Sequence, residues 1–235
     1  MMTRFMSNSC ASQYSPDLPP PRYPCRMSFR RFALGSFLFP IGGVLVVLAS
    51  AGGCSDNTTP TPRAFIDSHM AVGPQAPAQV CGITEPEWVG VGTADSKGFV
   101  QTSVNDGDSQ DGKQVSVNCS VTANSDGSFQ VNASVTLAST GSVTINAKVT
   151  GSGQQTGVHG VFQRSDFGRF DENDCTIDFT RVSGMGVAAG RVWGDLDCPH
   201  ASDPSQPRPN PDGGSEEVAH ACEGTAEFRF ENCGQ

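Results

Sequence analysis

From residue 113 onward, hydrophobic and polar residues alternate along the chain with a period of two. The alternation is clearest in KQVSVNCSVTA, SFQVNASVTLA and SVTINAKVT, which begin at residues 113, 128 and 142. Strict alternation of β-branched residues is typical of half-buried antiparallel strands, and the Asn, Asp and Gly residues between the segments are those that tight turns require. The three segments therefore predict a meander of neighbouring strands.

The alternation continues on both sides of this meander. Further strands are predicted at VHGVFQR, CTIDFTRV, RVWGDLDC and CEGTAEFRFENC; QVCGITEPEWVGVG predicts a first strand or pair with Trp88 in the core, and GFVQTSV another strand. After Cys54, no window of about twelve residues or more has a helical period. We predict an all-β fold, an antiparallel β-sandwich of about 8–10 strands, with a β-barrel as the alternative.

Two stretches lack this period and are rich in proline. Residues 54–79 contain four prolines and predict a flexible tether ahead of the domain, which we place at 80–235. Residues 199–221 contain five prolines and predict a long loop before the last strand. Neither stretch is expected to contribute a packed element.

The segment RRFALGSFLFPIGGVLVVLASAGGC, residues 30–54, has the order of an export signal. A charged start precedes an apolar run, which Gly and Pro interrupt, and small residues lead to Cys54. A membrane-spanning helix needs about 20 apolar residues, so the run fits a signal peptide better. We predict a signal peptide at 27–53 that begins at Met27, with residues 1–26 as a mis-assigned start or an extended n-region.

The end of this segment, Ala51-Gly52-Gly53-Cys54, resembles the lipobox of bacterial lipoproteins, although leucine is more common at the place of Ala51. The resemblance implies that Cys54 becomes the N-terminus of the mature chain and carries lipid, including fatty acids such as palmitate. It also implies, from Ser55, sorting to the outer membrane. The membrane is then a partner through this anchor. Cleavage without lipidation, leaving Cys54 as a free thiol, is the alternative.

The chain after Cys54 is strongly acidic. It carries ten Lys and Arg against 23 Asp and Glu, a net charge of −13. Such a surface repels nucleic acid and anionic lipid, so the sequence excludes nucleic acid as a partner.

Six cysteines follow Cys54: Cys81, Cys119, Cys175, Cys198, Cys222 and Cys233. An even number in an exported chain predicts three disulfides. Cys222 and Cys233 flank a predicted strand and would lie roughly 36 Å apart, too far for a disulfide. Cys198 and Cys222 bracket the predicted loop and form the favoured pair. The pairing of the other four cysteines remains open.

Motifs for chemistry are absent from the sequence. There is no GxSxG, no HExxH and no dinucleotide fingerprint, so we expect no enzymatic activity and no cofactor. His200 and His220 lie near Cys198 and Cys222, but oxidation of exported cysteines disfavours a zinc site.

Two weaker sites follow from the residue types. Asp106, Asp108 and Asp111 in NDGDSQDG offer carboxylates for calcium, although the EF-hand pattern fails and a hairpin turn explains the same residues. Trp193 has the parity opposite to Val192 and Leu196. It is therefore either a platform for a sugar or a side chain covered by the 199–221 loop.

The strand VSVNCSV, the glycine turn after it and a final strand ending in cysteine resemble mycobacterial surface lipoproteins of the 19 kDa antigen type. The resemblance covers about a third of the mature chain. It allows a Cys119–Cys233 disulfide and implies no enzyme. We therefore expect a non-enzymatic structural or interaction module of the envelope, with a protein or glycan partner that the sequence does not identify. Binding of a small ligand, glycan or lipid, is the alternative.

Overall fold

The structure is a computed structural model that describes residues 59–83, 87–95 and 101–235. The predicted signal peptide, the lipobox and Cys54 lie outside the described residues. All described residues belong to the unit Ser55–Gln235.

The described chain contains fourteen strands and one short helix. The N-terminal elements are β1 (Arg63–Ala71), α1 (Ala78–Cys81), β2 (Glu87–Val91), β3 (Thr93–Ala94), β4 (Gln101–Thr102), β5 (Val104–Asn105) and β6 (Ser109–Gln110). The central elements are β7 (Lys113–Ala123), β8 (Phe129–Leu137), β9 (Gly141–Val149), β10 (Gln154–Arg164) and β11 (Gly168–Asp178). The C-terminal elements are β12 (Gly186–Ala188), β13 (Arg191–Pro209) and β14 (Glu217–Glu231).

Twelve of these strands form one antiparallel sheet in the order β2-β1-β14-β13-β11-β10-β9-β8-β7-β6, with β12 on β13 and β5 on β1. The sheet is nearly closed into a barrel. Near the C-terminus, Gly234 exchanges backbone hydrogen bonds with Cys119 and Val121 of β7, which brings the chain end to the far side of the sheet. The all-β antiparallel prediction is confirmed, and the sheet takes the barrel form that the sequence left as the alternative.

The predicted alternation decides which side chains fill the interior. In β7, β8 and β9, every second residue is buried and the residues between are exposed or half-buried. Aromatic residues of β10, β11 and β14 are also buried in the interior. Trp88 is 2 % exposed and packs edge-on against Phe170. Burial of this apolar surface is the main stabilising contribution to the fold.

The predicted tether at 54–79 is wrong from residue 63 onward. Residues 63–71 form β1, which pairs along its whole length with β14, and α1 begins at Ala78. Ser68 interrupts the hydrophobic pattern at an inward position, where its hydroxyl donates to the Val89 carbonyl and accepts from the Val89 N–H. A satisfied buried hydroxyl therefore replaces the apolar residue that would have revealed the strand.

The predicted loop at 199–221 is also wrong. β13 continues to Pro209 and β14 begins at Glu217, so most of the stretch extends a long hairpin. The register between the two strands shifts between Asp203 and Arg208, where Pro204 and Pro207 lie. Proline lacks the N–H that a ladder needs, and a bulge is where a strand tolerates it.

Three disulfides connect the sheet: Cys81–Cys222, Cys119–Cys233 and Cys175–Cys198. The favoured Cys198–Cys222 pair is therefore wrong, because Cys198 bonds across to β11 while Cys222 of β14 holds α1. The exclusion of Cys222–Cys233 is confirmed, since β14 runs between them. The Cys119–Cys233 pair that the lipoprotein resemblance allowed is present.

Candidate functional site

Four carboxylates stand side by side on the outer face of the sheet, one on each of four neighbouring strands. Asp67 of β1 faces Glu227 of β14, Glu227 faces Asp195 of β13, and Asp195 faces Asp178 of β11. Strands lie about 4.8 Å apart, so these four residues, which we call the acidic row, extend over roughly 15 Å. Like charges directly opposite one another destabilise a sheet, so the acidic row needs cations beside it.

One arginine of the chain compensates part of this charge. Arg181, which follows β11, places Nε 2.9 Å from Asp195 Oδ2 and pairs through Nη2 with Glu227. The amide nitrogen of Gln101 also donates to Glu227. With four carboxylates and one guanidinium, the acidic row keeps an excess of negative charge.

Within the acidic row, the neighbouring carboxyls of Asp195 and Asp178 have pKa values that are shifted in opposite directions. Burial, together with repulsion from Glu227 and Asp178, raises the pKa of Asp195 to about 6 against the lowering influence of Arg181. At Asp178, hydrogen bonds from the Thr180 hydroxyl and backbone N–H lower the pKa of the carboxyl. The charge of Asp195 is therefore disfavoured by the folded state, whereas that of Asp178 is favoured.

Replacing Asp195 by asparagine is expected to stabilise the protein at neutral pH. Between the usual pKa of Asp, 3.8, and the folded value of about 6, folded Asp195 holds a proton that the unfolded chain has released. Its contribution to stability therefore falls as the pH rises through this window. Asp195→Asn removes this unfavourable contribution but also removes the ion pair with Arg181. We expect a net gain of about 1 kcal/mol in the free energy of unfolding at pH 7.

Urea unfolding at pH 4 and pH 7 measures this gain, which should appear at pH 7 and vanish at pH 4. Asp178→Asn is the matched control, because the lowered pKa of Asp178 predicts no stabilisation on neutralisation. Equal effects of the two substitutions at pH 7 would contradict the assignment.

Sequence reasoning did not find the acidic row. Asp67 lay in the predicted tether, and Arg181 lay near the end of the predicted strand CTIDFTRV. Parity within each strand shows which carboxylates face outward, but the row forms only because β14 pairs with both β1 and β13. The sequence contains no signal that specifies which strands pair with β14.

Trp193 lies beside the acidic row and is half-buried. Arg229, its partner in the strand register, stacks its guanidinium 5.3 Å from the centre of the ring. On another side, Gly184 approaches so closely that an added Cβ would lie 3.3 Å from the ring. Arg229 thus occupies a face of the half-buried ring, so a sugar would have to displace the guanidinium to stack there.

The aspartates proposed for calcium serve the hairpin around β5 and β6. Asp106 accepts a hydrogen bond from the Val117 N–H at 2.8 Å, and Asp108 accepts one from the Asn105 amide at 2.9 Å. Asp111 adopts a positive φ of 51°, a conformation that Asp tolerates in turns. The demands of the turn account for these residue types, and calcium binding stays a prediction without a structural observation behind it.

The histidines and cysteines considered for zinc are committed to other partners. His200 Nδ1 lies 3.0 Å from the Gln75 carbonyl, and buried His220 pairs through Nε2 with the Cys81 carbonyl. Burial, and then the neighbouring Arg208, lower the pKa of His220. Within the described part of the chain, the one cluster of potential metal ligands contains Cys175 and Cys198, and both cysteines form a disulfide.

Within the described residues, no helix has both the length and the apolar character needed to cross a membrane.

Comparison of the chain with protein-family models, with curated proteins and with solved structures finds no match.

Proposed function

We propose that this protein is a lipid-anchored module of the bacterial outer membrane that acts by contact with another macromolecule and not by catalysis. The observation that carries the proposal is the filled interior of the nearly closed sheet. Ile66, Met70, Phe162, Phe228 and Phe230 are each no more than 1 % exposed. A lipid or other internal ligand would have to displace such side chains, so the outer face is the surface left for recognition.

The acidic row gives this outer face a definite chemistry. The row already binds one guanidinium group of the chain itself, because Arg181 pairs with Asp195 and Glu227. The remaining negative charge complements a partner that presents lysine or arginine side chains.

The anchor is tested by replacing Cys54, which the lipobox resemblance identifies as the lipidated residue. Cys54→Ala should abolish incorporation of labelled palmitate and shift the protein from the membrane to the soluble envelope fraction, because acyl chains hold such proteins at the bilayer. Cys10→Ala is the control, since residue 10 precedes the predicted signal. Membrane retention of Cys54→Ala equal to that of the unchanged protein would contradict the anchor.

Contact through the acidic row is tested with an arginine-rich decapeptide as the probe. The double substitution of Asp67 and Asp178 by asparagine should weaken binding several-fold at low salt, and raising the salt should weaken binding to the unchanged protein similarly. The control replaces exposed Asp212 by Asn and exposed Glu216 by Gln, which changes the net charge equally on the β13–β14 turn. Equal loss in both variants would show a general charge effect and would contradict a specific surface.

A further inference from the structure

A polar groove lies over the outer side of β10, β11 and β13, apart from the acidic row. Its volume is about 770 Å³, and it runs between the β10–β11 turn and residues 202–206 of β13. Ligand pockets of globular proteins measure about 300–1,000 Å³ but are usually lined by apolar side chains. This groove has the size of a ligand site. Most of its lining side chains end in amide, hydroxyl or charged groups, while their carbon atoms supply much of the exposed surface, so the groove suits an occupant with both polar groups and carbon–hydrogen surface.

The buried carboxylate of Asp203 lies at the centre of the groove lining and is held by hydrogen bonds. Asp203 is only 4 % exposed, and Oδ1 accepts from the backbone N–H and the hydroxyl of Ser205 at 2.9 and 2.6 Å. Oδ2 accepts from the Arg169 N–H at 3.3 Å and from the Gln206 amide at 3.4 Å. One buried carboxylate thus fixes the β13 bulge to the β10–β11 turn.

Gly168 allows the two walls to approach. Its φ is +106°, and a Cβ at this position would lie 2.5 Å from Asp203 Oδ2 and 2.6 Å from Gln206 Nε2. Only glycine fits both the backbone conformation and the space. The shape of the groove is therefore set by rigid contacts.

The charges around the groove are largely paired. Arg164 Nε lies 2.9 Å from Asp166 Oδ1, and Arg169 Nη2 lies 2.8 Å from Asp171 Oδ2. With Asp203, whose partners are neutral N–H, hydroxyl and amide groups, three carboxylates stand against two guanidinium groups, an excess of one negative charge. So small a net charge gives little preference for a charged ligand, and the groove favours a neutral one.

Several lining groups have hydrogen-bonding capacity left. The side chains of Gln163, Ser165, Asn173 and Ser202 line the groove and form no hydrogen bond with the described residues of the chain. Burial favours the neutral form of Asp171, but hydrogen bonds from Arg169 and His159 outweigh it and lower its pKa, so it stays an ionised acceptor. The planar amides and hydroxyls offer both donors and acceptors along the groove.

We propose that this groove binds a neutral oligosaccharide. A sugar chain carries many hydroxyl groups that both donate and accept, which is the capacity that the amides and hydroxyls of the groove leave unused. Pro204, on the rim, supplies apolar ring surface for the carbon–hydrogen face of a pyranose. The site is separate from the acidic row and from Trp193, so it adds ligand binding to a module proposed to act through macromolecular contact.

The test titrates the full-length protein with neutral trisaccharides of glucose, mannose and galactose, followed by saturation-transfer NMR and calorimetry. The detergent must lack a sugar headgroup, which would compete for the groove. We expect saturable binding of at least one trisaccharide. Gln163→Ala and Asn173→Ala should each raise Kd about fivefold, because each removes a hydrogen-bonding group without burying another.

Exposed Gln114 on β7 lies outside the groove, so Gln114→Ala is the matched control and should leave Kd unchanged. Melting temperatures within about 2 °C of the unchanged protein show that the exposed substitutions leave the fold intact. Three results would overturn the proposal: no saturable binding of any neutral trisaccharide, binding that survives the Gln163→Ala/Asn173→Ala double substitution, or binding restricted to sulfated or sialylated sugars. Because the probe and the variants differ from those used for the acidic row, failure here leaves the proposed contact function unaffected.

Discussion

Replacing Cys81 and Cys222 by alanine is expected to lower the free energy of unfolding by about 5 kcal/mol. The disulfide joins positions 141 residues apart, and the entropy that a crosslink removes from the unfolded chain grows with the length of the closed loop. It also holds α1 against β14, where the Cys81 carbonyl bonds to His220. Its loss therefore removes the crosslink between α1 and β14 in the unfolded chain, which the Cys119–Cys233 and Cys175–Cys198 disulfides then restrain alone.

The matched comparison is the Cys175→Ala/Cys198→Ala protein. That disulfide spans only 23 residues and lies within the paired strands β11 and β13, so its removal should cost about 3 kcal/mol. All four cysteines are fully buried, and the cavity left by each pair of alanines is similar in kind. Denaturant unfolding of the two variants in parallel measures the difference. A larger loss for Cys175–Cys198 than for Cys81–Cys222 would contradict the loop-length argument.

Asp203→Ala should lower the free energy of unfolding by about 3 kcal/mol. The substitution leaves the backbone N–H groups of Ser205 and Arg169 without their charged acceptor in a partly buried setting, and hydrogen bonds to ionised groups are the strong ones. The β13 bulge then loses its connection to the β10–β11 turn. Denaturant midpoints and hydrogen exchange at Ser205 and Arg169 measure the loss.

A second Asp-x-Ser turn in the chain provides the control. Asp126 accepts from the N–H and hydroxyl of Ser128 at 3.0 and 2.5 Å, the same local pattern as Asp203 with Ser205, but Asp126 lies on the surface. Asp126→Ala should have a small effect. Similar losses at the two positions would show that the local turn, and not burial of the Asp203 carboxylate, is what stabilises the bulge.

The pH dependence of Asp203 follows from the same contacts. Burial alone would raise its pKa, but the hydrogen bonds from Ser205 and Arg169 outweigh it and lower the pKa below the usual 3.8. The stabilisation is therefore complete above pH 3.8 and is lost as the pH falls through the lower folded value. This trend is opposite in sign to that of Asp195, whose contribution falls as the pH rises.

The strands of the meander could be predicted because the information is local. Alternation places Val115, Val117 and Val121 on one face of β7, and one face of an antiparallel strand must be buried whatever its partner. The same reasoning found the core position of Trp88. It failed at β1, because inward-facing Ser68 is satisfied by the backbone of Val89, a contact 21 residues away along the chain.

The loop prediction at 199–221 failed for a related reason. Proline argues against a strand because it cannot donate an N–H to the hydrogen-bond ladder between strands. The β13–β14 pairing avoids this problem, since a register shift leaves residues 204–207 unpaired. Asp203, at the edge of this shift, appeared to be an ordinary loop aspartate. Its role depends on Arg169 and Gly168, which come from a hairpin more than thirty residues earlier.

By itself, the sequence determined the class of the fold, the outward and inward sides of most strands, the acidic surface, and three disulfides without their connectivity. These properties depend on composition and on a period of two, both of which are local. The export signal and the lipidation of Cys54 stay predictions from the sequence. Only the tertiary structure decided which cysteines meet, that β1 joins the sheet through β14, and that four carboxylates and the Asp203 groove assemble from distant strands. Strand neighbourhood arises from the packing of the whole chain, since many pairings satisfy the same alternation and one of them buries the core best.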